Sequence, residues 1–66
     1  VNNGDWLHLV SDVIAEFEPA GFAQEQLTRR YYLSSDHEAD KVQFNAGATP
    51  RRLKDMIRRS IAGLAP

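Results

Sequence analysis

The chain has no cysteine. Neither a disulfide nor a thiolate-bound metal can staple it, and the absence fits a cytoplasmic protein. It has no apolar run near the ~20 residues that a membrane-spanning helix needs, and nothing laid out like a signal peptide. The reading is therefore a chain with no membrane partner. Glycine and proline are scarce, at four and three residues, so each is informative where it stands. Lysine and arginine are missing altogether from residues 1–28.

What is present is enough for one small domain spanning residues 1–66. The 42% apolar content is that of a folded chain rather than a disordered one. A chain of this length buries only roughly 60% of its unfolded surface, so packing has little margin. The chain starts at Val1 rather than Met, which suggests a domain excised from a larger protein.

The net charge of −1 makes no global case for a nucleic-acid partner. Its distribution says more. Residues 1–28 hold Asp5, Asp12, Glu16, Glu18 and Glu25 against no basic residue, whereas residues 29–66 hold eight basic and four acidic residues. The two halves thus carry −5 and +4, a polar molecule with two different faces.

The strongest local signal lies near the end. Gly47 marks a turn, Thr49 is a good N-cap, and Pro50 suits the first helical position. Leu53, Met56, Ile57, Ser60, Ile61 and Leu64 then fall on one helical face, with Arg51, Arg52, Lys54, Arg58 and Arg59 on the other side.

Earlier in the chain, residues 1–4 read as a polar, frayed lead-in and Asp5 as an N-cap. A helix over 6–18 follows, with Trp6, Val10, Val13, Ile14 and Phe17 facing inward. Pro19 and Gly21 stop it. A second helix over 22–33 places Ala23, Leu27 and Tyr31 on one side, and Glu25 can pair with Arg29 one turn later.

Residues 34–46 support two readings. Ser35 and Glu38 form a capping-box pattern, which favours a helix over 36–45 with Ala39, Val42 and Ala46 facing inward. Lys41 to Asn45 also alternates polar and apolar, as a half-buried strand would. In that version strands near 30–33 and 41–45 make a hairpin. The caps and the glycine favour the first version, an all-α bundle of about four helices. The alternative is an α+β order of helix, helix, β-hairpin, helix.

Catalysis is not expected. His8 and His37 are far apart in sequence, and no nucleophile, base and orienting group can be assigned around Ser34, Ser35 or Ser60. The cluster Asp36-His37-Glu38-Ala39-Asp40 lacks the spacing of a metal loop and reads as a solvated, acidic helix start. No metal or cofactor is expected. The aromatic residues read mostly as core.

A helix over 36–45, the glycine turn and the basic helix 50–63 together resemble a DNA-binding helix-turn-helix over 36–63. Val42 stands five residues before Gly47, and Leu53 and Ile57 stand six and ten after it. Those are positions where this family buries apolar residues. With Arg30-Tyr31-Tyr32-Leu33 before it, the stretch is similar to the region-4-like motif of sigma factors. The family usually has a small residue four before the turn glycine; here it is Gln43. The resemblance implies a transcription-regulatory domain whose last helix enters the major groove. Thr49, Arg51, Arg52 and Asp55 would then lie near the bases, and Lys54, Arg58, Arg59, Arg29 and Arg30 would meet phosphates.

Two other classes compete. The hairpin order is similar to small docking domains of modular synthetases and to the double-stranded-RNA-binding-like fold of some small toxins, although no toxin-type catalytic signature is present. Such a module would offer an edge strand and a basic helix to an acidic protein segment. The third class is self-association as a homodimer, the acidic first helix of one chain meeting the basic last helix of another.

Overall fold

A computed structural model describes residues 3–65 of the chain. The elements are α1 (Asn3–Ala15), a 3₁₀ turn (Glu18–Ala20), α2 (Gln24–Leu33), α3 (Ser35–Asn45) and α4 (Pro50–Leu64). The architecture is all-α, with no strand among the described residues. Tyr31 to Leu33 closes α2 and Lys41 to Asn45 lies in α3, so the hairpin does not form.

Helix α4 is the hub and packs against each of the other three helices, most extensively against α1. Its stripe reaches the core as its spacing predicts. Leu53, Ile57 and Ile61 are buried, and Met56, Ser60 and Leu64 are half-buried. From α1, Trp6, Val10, Val13 and Ile14 meet this stripe, and Leu27, Tyr31 and Phe44 complete the core. The Trp6 indole lies 5.6 Å from the Phe44 ring and 6.3 Å from the Tyr31 ring, joining α1, α2 and α3. At these separations the tilted rings gain from edge and face charge as well as from burial.

Several boundaries differ from expectation. Helix α1 runs from Asn3, so Gly4 is helical and Asp5 sits in the first turn rather than at the N-cap. Val1 and Asn2, the start of the expected lead-in, lie outside the described residues, as does Pro66. The C-terminus of α1 comes at Ala15, not 18. There the amides of Glu16 and Phe17 bond three residues back, to Val13 and Ile14, and tighten the last turn. Pro19 has no amide hydrogen with which to extend the helix. Phe17 is left half-buried, 6.3 Å from Phe22. Ala23 is not a core residue but the exposed N-cap of α2. The Glu25–Arg29 pair does not form; the ion pairs among the described residues join α4 to α1 and the turn that follows it, or lie within α4.

The largest correction concerns α3. Its inward face is Asp40 and Phe44, flanked by His37 and Lys41. Ala39 and Ala46 are exposed, and Val42 is 62% exposed. The bulky Phe44 reaches the indole of Trp6, and this turns the Ala39–Val42 side outward. The capping box is also absent. Ser34, extended at φ −84°, ψ 157°, is the N-cap, and Ser35 is already helical. The Ser34 hydroxyl donates backward to the Tyr31 carbonyl at 2.6 Å, closing α2 instead of capping α3.

The α3–α4 connection follows its glycine. Gly47 adopts φ +89°, while its amide bonds Phe44 O and the Ala48 amide bonds Gln43 O. That pattern is a Schellman close, in which a left-handed residue lets two trailing amides satisfy helix-end carbonyls. Thr49 then caps α4, its Oγ1 accepting from the Arg52 amide at 3.2 Å.

Candidate nucleic-acid interface on the last helix

The nine residues expected to contact DNA separate into three groups. Thr49, Arg51, Arg52, Asp55 and Arg59, with Met56, line one shallow depression over the first half of α4. The guanidinium groups of Arg51, Arg52 and Arg59 have no hydrogen-bond or ion-pair partner among the described residues, and all three residues are exposed. Successive residues of an α-helix turn by 100°, which places Arg51, Arg52, Asp55 and Arg59 opposite the buried stripe of Leu53, Ile57 and Ile61.

Lys54 and Arg58 occupy the flank of α4 that faces α1. Lys54 Nζ lies 3.4 Å from Asp12. Arg58 donates from Nε and Nη2 to the two oxygens of Glu16 at 2.7 and 3.0 Å, a bidentate grip, and from Nη1 to Asp55 Oδ1 at 2.8 Å. The Arg58 hydrogen bond holds the Glu16 carboxyl below its ordinary value, and the guanidinium ionisation of Arg58 is pushed up in return. The acidic first helix and basic last helix thus meet within one chain, through residues that intermolecular pairing would otherwise use. Lys54 and Arg58 are spoken for by carboxylates and are not open phosphate contacts as they stand.

Arg29 and Arg30 lie on α2, outside this depression. Arg30 Nη1 donates to the Leu64 carbonyl at 3.2 Å, closing the C-terminal turn of α4. Leu64 stands 13 residues beyond Arg51 but five beyond Arg59, so at 1.5 Å per residue Arg30 meets the helix about 20 Å from Arg51 and about 8 Å from Arg59. Arg29 is exposed on α2.

The most consequential residue that sequence reasoning missed is Asp40. It is only 4% exposed and is the buried charged residue of the core. Its Oδ2 accepts from the Tyr31 phenol at 2.8 Å and from the Ser60 hydroxyl at 2.9 Å, tying α2, α3 and α4 together. Its place in an acidic run hid it, although its four-residue spacing from Phe44 marks the inward face. Asp36 and Glu38 are exposed, and His37 packs against the rings of Tyr31 and Tyr32 while its Nδ1–H bonds the Ser34 carbonyl at 2.7 Å. Among the described residues no three metal-ligating side chains gather, and no helix is long and apolar enough to cross a membrane.

A second concavity, of about 530 Å³, lies between α1 and the α3–α4 turn, with Leu9, Phe44, Ala48 and Leu53 on its floor and Asp5, His8 and Asp12 at its rim. Comparison with known proteins finds no matching family model, no matching curated protein and no matching solved structure.

Proposed function

We propose that this chain is a non-catalytic DNA-binding domain that presents the outward face of α4 to the major groove. The observation that carries the reading is the division of the basic residues of α4. Lys54 and Arg58 are neutralised by Asp12 of α1 and by Glu16 just after it, whereas Arg51, Arg52 and Arg59 share one face with no carboxylate closing on them. Charges left unpaired on a rigid helix are available to an anionic partner without first breaking an ion pair. The Gly47 close and the Thr49 cap fix where that helix begins. The order of α3, glycine turn and α4 is that of a helix-turn-helix, with Phe44 rather than Val42 supplying the buried contact from α3.

The reading is tested by fluorescence anisotropy with a random-sequence duplex at low and then rising salt. Three neutralised phosphates give a slope of log affinity against log salt of about −2.7. The double variant Arg51→Ala/Arg52→Ala should lose binding while its helical circular dichroism stays intact. Unchanged affinity and slope in the double variant would overturn the assignment. Binding to a polyglutamate peptide with none to the duplex would turn the reading to docking of an acidic protein segment.

A further inference from the structure

Asp55 is the only acidic residue of α4, and it stands among the three open arginines. It lies four residues after Arg51, three after Arg52 and four before Arg59, spacings at which charges on a helix surface pair readily. None of the three pairs with it. Oδ1 is instead held at 2.8 Å by Arg58, which Glu16 grips bidentately from the turn after α1. Oδ2 accepts no hydrogen bond from the described residues, and the side chain is 54% exposed. A carboxylate is thus fixed by one oxygen and open at the other, in the same depression as Arg51, Arg52 and Arg59.

A surface that met only phosphates would be weakened by this group, since a carboxylate repels them. A base edge is different. In the major groove cytosine N4 and adenine N6 present amino hydrogens, which aspartate accepts, whereas guanine O6 and thymine O4 are acceptors and oppose it. Resting on the DNA-binding reading of α4, we infer that Asp55 is a specificity-determining residue whose Oδ2 accepts from the exocyclic amino group of a cytosine or adenine. Arg58, held by Glu16, is its positioning residue. The ligand is therefore duplex DNA with an amino-bearing base at one defined position, and the arginines around Asp55 supply attraction that is less particular.

The test is selection from a randomised duplex library at low salt, with sequencing, for the unaltered chain, Asp55→Ala and Glu16→Gln. Anisotropy then follows on the selected duplex and on versions with single base pairs exchanged. The unaltered chain should enrich cytosine or adenine at one position, the enriched base telling which amino group is read. Exchange of that base pair should weaken binding roughly tenfold. Asp55→Ala should lose this preference at the one position. Glu16→Gln, which touches no DNA in this arrangement, should flatten the same position. If Asp55→Ala enriches the same bases as the unaltered chain, the inference fails while DNA binding stands. If Glu16→Gln keeps the full preference, the positioning role of Arg58 fails. If the unaltered chain retains no duplex at low salt, the DNA-binding reading falls and the inference falls with it.

Discussion

The Tyr31 phenol donates a 2.8 Å hydrogen bond to Oδ2 of Asp40, joining two fully packed helices through a buried carboxylate. The same oxygen takes the Ser60 hydroxyl, whose Oγ also lies 3.1 Å from the Met56 carbonyl oxygen. Removing the phenol leaves Asp40 with one shared donor in a site from which water is largely excluded. Tyr31→Phe should therefore cost about 1–3 kcal/mol in urea unfolding, because a buried acceptor short of a partner loses its desolvation compensation. Ser60→Ala should cost less, since its proton is divided between two acceptors. A Tyr31→Phe variant as stable as the parent would mean that the Asp40 linkage contributes nothing net.

Alkaline pH tests the same linkage from the other side. Burial first, then the bond to Asp40, pushes the Tyr31 ionisation well above its ordinary value of 10.0. A folded-state value raised in this way gives stability that is complete below pH 10 and is lost as pH rises beyond it. Stability should fall above pH 10, with the tyrosinate absorbance of Tyr31 emerging together with unfolding rather than before it. Tyr31→Phe should flatten the alkaline limb.

Acid acts on the seam between α1 and α4. Glu16 titrates below its ordinary value of 4.5 because Arg58 hydrogen-bonds the charged form. Its contribution is present above pH 4.5 and is lost as pH falls through the lowered folded value. The pair is exposed to solvent, so the effect is modest and weakens with salt. Thermal melts of Glu16→Gln should show a smaller loss of midpoint between neutral pH and pH 3 than the parent does. An identical acid limb in both would show that the Glu16–Arg58 contact adds nothing to stability.

Val42 and Phe44 show how far the sequence could be read. Helix α3 was favoured over a hairpin on a capping box that does not form, whereas helices α1, α2 and α4, the Thr49 cap, the Gly47 turn and the stripe of α4 were legible from local chemistry or a 3.6-residue period. The facing of α3 was not. Ala39, Val42 and Ala46 have the spacing of an inward stripe, and only the tertiary fit of Phe44 against Trp6 turns that stripe to solvent. The arginine cluster was legible as composition, but its division was not, since the partners of Lys54 and Arg58 lie 42 residues away, Asp12 on α1 and Glu16 in the turn that follows it. Val42→Ala should then change stability by no more than about 0.5 kcal/mol, the usual scale for an exposed site. Phe44→Ala should cost about 3–5 kcal/mol, which in so small a domain leaves little folded protein. The reverse order in chemical denaturation would return Val42 to the core.

The last expectation separates the two sets of basic residues on α4 by their salt dependence. Arg51 is unpaired, so its removal takes away one contact with a polyanion and releases one fewer counterion on binding. Arg51→Ala should weaken binding to a random duplex and make the salt slope shallower by about one. Lys54 is held 3.4 Å from Asp12 on the flank that faces α1. Lys54→Ala removes a charge that α1 already balances, so its slope should change by much less than that of Arg51→Ala. The released Asp12 carboxylate should lower affinity only through longer-range repulsion, which fades as salt rises. Equal slope changes for Arg51→Ala and Lys54→Ala would mean that both sides of α4 contact the duplex, and that the α1 ion pairs open when it binds. A changed slope for Lys54→Ala alone would move the interface from the outward face of α4 to the seam with α1.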